Sequence, residues 1–221
     1  MIVVYFGART GSTHYAKTLA DKQGIKYGNE IFWTGPFAKN PKFSIKELYD
    51  GYVDTFFNGF DKYKDCVVKI NMSQVESISR YANISTNLLI KKINAAADHV
   101  HFCVRKNIQE QLKSTYALFY LVDYNTEMSP LEHDNFAHKS WQDSRHIGYN
   151  SNLLKNCKSI IRHNLDLIAK VYNVLPADKK TLAVYEEWAE ESSRYKRPMT
   201  FEFDNFEVDF KLLDFFDAGS E

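Results

Sequence analysis

Six consecutive residues, Arg9, Thr10, Gly11, Ser12, Thr13 and His14, bring together a cation, a glycine and three hydroxyls; only Gly7 and Ala8 separate them from an apolar run, Ile2-Val3-Val4-Tyr5-Phe6. That run is short and rich in β-branched residues, which predicts a buried parallel strand. Gly7 and Gly11 bracket a tight loop, and Ser12 or Thr13 is expected to cap a helix that starts at once. A strand, a glycine loop and a helix N-terminus in that order make an anion site, because the loop amides point inward and the helix dipole favours negative charge. Phosphate is the usual guest. The loop is not a Walker A motif, which needs Gly-x-x-x-x-Gly-Lys-Ser/Thr. Here the glycines are one residue closer, no lysine precedes Ser12, and Arg9 supplies the cation.

A second basic group follows another apolar run. Val100-His101-Phe102-Cys103-Val104 leads into Arg105-Lys106, and a predicted helix beginning at Asn107 carries Ser114. An arginine at the carboxyl end of a strand offers a planar fork of donors to a phosphate, and a hydroxyl from the next helix completes such a site. Ligands of parallel sheets bind at that edge.

Four motifs resemble those of sulfotransferases. Arg9-Thr10-Gly11-Ser12-Thr13 is similar to the 5′-phosphosulfate loop, where a Lys or Arg, a small residue, Gly and two hydroxyl residues recur. Arg105 and Ser114 resemble the 3′-phosphate motif; they lie nine positions apart, one more than the commonest family spacing, and Lys106 sits at the shorter spacing. The trehalose sulfotransferase branch often has two adjacent basic residues there, so the resemblance leaves open whether Arg105 or Lys106 holds the phosphate. Glu30 follows Arg9 by 21 positions. Glu30-Ile31-Phe32 resembles the Glu-aromatic-Phe of that branch, where, as in the tyrosylprotein branch, the Glu is the proposed catalytic base. Thr181-Leu182-Ala183-Val184-Tyr185-Glu186-Glu187-Trp188 is similar to the late Tyr-Glu-Asp-Leu motif, with Trp188 in place of Leu. Val68-Lys69 resembles a Lys strand of the trehalose branch, without an assigned role. Arg194, Lys196 and Arg197 stand where the family has a late basic segment, although the family's Arg-Lys-Gly is missing. The resemblance spans residues 2 to about 190.

It implies a P-loop NTPase-like sulfotransferase fold and a donor, 3′-phosphoadenosine 5′-phosphosulfate (PAPS). Its product is adenosine 3′,5′-bisphosphate. Amides of Gly11 to His14 are then expected to cradle the phosphosulfate, with Arg9 stabilising charge on the transferring group and Glu30 taking the acceptor's proton. Arg105, Ser114 and Lys106 are the expected 3′-phosphate residues, and Tyr185 an expected donor contact. No metal is implied, since arginines supply the positive charge. The acceptor is a hydroxyl compound that the sequence does not identify; Trp33 or Phe37 is placed to stack on it or to join the core. Two rival readings remain at this point. One is a P-loop nucleotide kinase, since Phe119-Tyr120-Leu121-Val122-Asp123 imitates a Walker B strand; it continues a predicted helix, however, and the loop lysine is missing. The other is an inactive sulfotransferase-like binding module, against which the presence of both Arg9 and Glu30 argues.

Composition narrows the partners. The 221 residues suit one sizeable α/β domain. The 28 basic and 28 acidic residues cancel, so no overall field favours nucleic acid or an anionic membrane, and an anion site must be local. No apolar stretch reaches transmembrane length. Cys66, Cys103 and Cys157 are odd in number and widely spaced, which predicts buried thiols in a reducing compartment. With a strand-like start and Arg9 placed after the apolar run, the expectation is a cytoplasmic protein without a signal peptide.

The elements that must position these residues alternate. A first helix is expected from Ser12 to a Gly24 cap. A second strand follows at Ile25-Lys26-Tyr27, with Gly28 to Trp33 turning out of the sheet. A capping box at Ser44-Ile45-Lys46-Glu47 starts a helix to about Asn58. Val67 to Ile70 is a third strand, Ile78 to Ala97 one or two helices broken near Asn83, and Val100 to Val104 a fourth strand before the helix from Asn107 to Val122. Residues 123–150, with His133, His138 and His146, read as polar and irregular. Ser151 to Tyr172 carries a wide apolar stripe of helical period and ends before Pro176. Thr181 to Val184 is the last clear strand, and Tyr185 opens another helix. The tail from about Arg197 alternates Phe201, Phe203, Phe206 and Phe210 with acids, as an edge strand or a strap. Strands alternating with helices predict an α/β fold of three layers, a central parallel sheet with helices on both faces.

Overall fold

The computed structural model describes residues 1–32, 50–54, 59–121, 145–189 and 199–216. Five strands form one sheet: β1 (Ile2–Phe6), β2 (Lys26–Glu30), β3 (Cys66–Asn71), β4 (His99–Val104) and, later in the chain, β6 (Lys180–Val184). Their order is β2-β3-β1-β4-β6, and every pairing is parallel. The helices are α1 (Ser12–Gln23), α2 (Met72–Ala82), α3 (Thr86–Ala96), α4 (Ile108–Phe119), α5 (Ser151–Val174) and the single turn α6 (Tyr185–Trp188). The chain is thus α/β, with an all-parallel sheet flanked by helices.

Alternation along β1 explains the layers. Val4 and Phe6 join a small core with Ala16 and Ala20 of α1. Val3 and Tyr5 point the other way, into a larger core with Val75, Leu112 and Leu165 from α2, α4 and α5. The face of α1 that packs on the sheet is Ser12, Ala16 and Ala20, a stripe of small residues that lets the helix approach closely. From β1 the chain crosses β3 to reach β2, whereas β4 lies on the other side of β1. The end of β1 is therefore a topological switch point, where ligands of open parallel sheets bind.

Several boundaries differ from the sequence expectation. β2 does not leave the sheet at Gly28; it continues to Glu30 through a register shift between Tyr27 and Glu30, with Asn29 at φ 62° absorbing the irregularity. Gly28 makes this possible by lying where a Cβ would come within 2.9 Å of Val68 Cγ1. The break near Asn83 is present, with that residue at φ 52°, but the first of the two helices starts at Met72 because the Asn71 side chain accepts a hydrogen bond from Ser73 N and caps it. Within the stretch expected to be irregular, Arg145–Ile147 forms a short strand, β5, which pairs in parallel with β7 (Met199–Phe201) of the tail. The tail thus makes a separate two-stranded sheet rather than an edge of the main one. Beyond it Phe206, Phe210 and Phe216 are buried against the larger core as a strap. Phe119 of the Walker B-like run is the last residue of α4, a helix, while Val122 and Asp123 lie outside the described residues. The same is true of Trp33, Phe37, His133, His138, Arg194, Lys196, Arg197 and all but 50–54 of the Ser44–Asn58 segment; 50–54 are helical. All three cysteines are buried and none is in a disulfide. Among the described residues no helix is long and apolar enough to cross a membrane.

Candidate anion-binding site

The loop between β1 and α1 is held in place from three sides. Within it, Thr10 Oγ1 donates to Gly7 O at 3.2 Å, and the backbone is left-handed at Arg9 (φ 60°) and Gly11 (φ 76°). An arginine in that region costs on the order of 1–2 kcal/mol, so the surroundings must hold it. Helix α4 does so: Gln111 Nε2 donates to Ala8 O at 2.7 Å, and Arg9 Nε donates to Ser114 Oγ at 3.0 Å. Gly7 presses on Asn164 of α5, and Gly11 on the Tyr185 ring, where a Cβ would lie 2.5 Å from Cδ2. Gly11 itself is the N-cap residue of α1, and no side chain caps this helix. The expected Ser12 or Thr13 cap is therefore corrected. Both residues lie inside the first turn; Ser12 is buried, and the Thr13 hydroxyl takes a bond from elsewhere. The consequence is chemical: the first-turn amides have no side-chain acceptor, the arrangement that receives an anion.

The bond to Thr13 comes from Lys69, in the middle of β3. Its ammonium donates to Thr13 Oγ1 at 2.7 Å, lies 3.4 Å from Glu30 Oε2 and sits 4.6 Å from the centre of the Phe6 ring. Burial pushes the Lys69 pKa down, and the Glu30 carboxylate opposes that shift. Glu30, at the end of β2, is thereby tied to the loop through one lysine. The Val67-Val68-Lys69-Ile70 run shows the signal: a charge inside an apolar strand must find a partner, and here it finds two.

On the other side of the loop, Arg105 leaves β4 and stacks on Tyr185, with its guanidinium carbon 4.9 Å from the ring centre. Its Nε lies 3.5 Å from Glu186 Oε1. The Glu186 carboxylate also accepts from the backbone N–H groups of Lys106 (2.7 Å) and Asn107 (3.0 Å). The Lys106 side chain is exposed, and so is His14, whose ring is 5.7 Å from that of Trp188. The loop, Glu30, Arg105 and Tyr185 thus gather at the carboxyl edge of the sheet. Ser114 is brought to Arg9, while Arg105 is held by Tyr185 and Glu186. The sequence reading did not single out Gln111, Asn164 or Glu186; their signals are amide and carboxylate types shared by many surface residues. His146 bonds Glu202 at 2.7 Å, beside β5 and β7. Among the described residues no group of three or more His, Cys, Asp or Glu could hold a metal. No protein-family model, curated protein or solved structure matches the chain.

Proposed function

We propose that this chain is a sulfotransferase that moves a sulfuryl group from PAPS to a hydroxyl acceptor. The observation that carries the reading is the Thr13–Lys69–Glu30 chain, which ties a carboxylate to an uncapped anion loop. The residues fit the donor: open amides at the start of α1 suit the phosphosulfate, and Arg105 suits a second phosphate. The resemblance of the four motifs to sulfotransferases points the same way.

Sulfuryl transfer follows the logic of in-line phosphoryl transfer, in which positioning and charge stabilisation lower the barrier. The acceptor hydroxyl loses its proton to Glu30 as its oxygen bonds to sulfur, and the sulfur–oxygen bond to the 5′-phosphate breaks. Arg9 meets negative charge on the sulfuryl oxygens and the leaving phosphate. Ser114 accepts from Arg9 and keeps its own O–H to donate to a phosphate. Lys69 fixes Thr13 and Glu30 relative to each other.

Labelled PAPS incubated with the protein and a mixed extract of hydroxyl compounds tests the assignment. Wild type should transfer label, and Glu30→Gln should do so about 10²–10⁴-fold more slowly. Equal rates would remove Glu30 as the base. Binding of the donor without transfer to any acceptor would leave an inactive module.

A further inference from the structure

Resting on the sulfotransferase reading, we infer that Glu186 is a positioning residue that aims Arg105, and not Lys106, at the 3′-phosphate of the donor. Glu186 is anchored independently of any arginine, because its carboxylate accepts two backbone N–H groups, those of Lys106 and Asn107, at the start of α4. Negative charge at a helix N-terminus is favoured there. From that anchor its Oε1 faces Arg105 Nε at 3.5 Å. Arg105 Nε is buried and makes no hydrogen bond. The guanidinium is therefore held at its inner nitrogen by charge and through its plane by the Tyr185 ring. Among the described residues neither terminal nitrogen of Arg105 makes a hydrogen bond, and the contact to Glu186 is at Nε. Those two nitrogens are the fork that grips phosphate in a bidentate way.

The same Tyr185 ring presses on Gly11 of the anion loop. One aromatic side chain thus spaces the Arg105 fork from the loop, as a ligand with two phosphate groups requires. Lys106 contributes its backbone N–H to Glu186 while its ammonium stays at the surface. The division of labour is that Lys106 helps fix Glu186, Glu186 fixes Arg105, and Arg105 meets the ligand.

The test is calorimetric titration of adenosine 3′,5′-bisphosphate and of adenosine 5′-monophosphate into wild type, Glu186→Gln, Arg105→Ala and the double variant. Glutamine keeps the shape and an acceptor oxygen but removes the charge. Glu186→Gln should weaken the bisphosphate by roughly 3–30-fold and the monophosphate by less than about twofold. The double variant should bind the bisphosphate no more weakly than Arg105→Ala alone, because Glu186 acts through Arg105. Tighter bisphosphate binding in Glu186→Gln, an equal loss for both ligands, or losses that multiply in the double variant would each overturn the inference. Should Glu186→Gln not fold, Arg105→Lys reads the same geometry: it keeps the charge without the fork, and it should lose as much 3′-phosphate selectivity as Arg105→Ala. Retained selectivity in Arg105→Lys would overturn the inference. A wild type that does not prefer the bisphosphate defeats the sulfotransferase reading and the inference together, whereas a preference that Glu186→Gln leaves intact defeats the positioning role alone.

Discussion

Lys69 is the residue on which the site's geometry turns. A buried ammonium is stable only when its donors are met, and its partners here are the loop hydroxyl and the candidate base. Lys69→Met keeps most of the volume but leaves Thr13 and Glu30 without their shared cation. It should destabilise the fold by about 1–3 kcal/mol and weaken nucleotide binding, both readable by urea unfolding with and without adenosine 3′,5′-bisphosphate. Unchanged stability would mean that the lysine does not hold the two together. His101 sets a different expectation. Burial first, and then the neighbouring His99, lower its pKa from 6.5 to about 4, and Tyr15 OH meets its Nδ1 at 2.9 Å. Between those values the unfolded chain binds the proton and the folded chain does not, so this contribution is complete above pH 6.5 and is lost as the pH falls towards 4. Melting curves should show the decline between pH 6.5 and 4, and His101→Gln should flatten it; an identical decline in both would assign the acid sensitivity elsewhere. Arg9 could be picked out in the sequence because it follows a strand; Lys69 interrupts one, but the sequence assigned it no role. The partners could not be picked out. Arg9 and Ser114 are separated by 105 positions, and only the path of α4 across the loop brings them together.

At the scale of elements, the strand–loop–helix unit depends on Gly11. Its φ of 76° and the Tyr185 ring 2.5 Å from a would-be Cβ make any side chain there doubly unfavourable. Gly11→Ala should cost at least about 1 kcal/mol and abolish measurable bisphosphate binding. Asn71→Ala is the matching control. It removes the cap of α2, which lies outside the loop, and should cost about 1 kcal/mol while the free-energy change on binding stays the same. Equal binding by Gly11→Ala would dissociate the loop from the ligand. The strands and helices of the main sheet were largely readable because short continuous apolar runs mark the buried parallel strands, whereas the helices carry apolar stripes of period 3.6. What escaped was set by longer-range contacts. The continuation of β2 past Gly28 requires β3 alongside it. β5 is only three residues long, and its partner lies in the tail, with Arg145 opposite Met199, so neither strand carries a readable period of its own.

At the scale of the whole molecule, the neutral composition and the polarity of the sheet edge are one argument. A chain whose 28 basic and 28 acidic residues cancel attracts anions only where it concentrates donors. It concentrates them at the switch point, where the loop amides, Arg9 and Arg105 share one edge. That a parallel sheet would bind at its carboxyl edge could be read from the alternation of elements; the order β2-β3-β1-β4-β6, which puts β1 at the centre, could not, because strand order depends on crossovers that leave no local mark in the sequence. The central claim is that this edge recognises a nucleotide with phosphates at both the 3′ and 5′ positions. Thermal unfolding with added nucleotide measures that without knowledge of the acceptor. A ligand specific for the folded state at a hundredfold excess over its Kd adds about 2.7 kcal/mol, and for a chain of this size each kcal/mol raises Tm by about 2–4 °C. Adenosine 3′,5′-bisphosphate without magnesium should raise Tm by several degrees and by more than ATP with magnesium. A larger shift with magnesium-ATP, or none with the bisphosphate, would contradict the account.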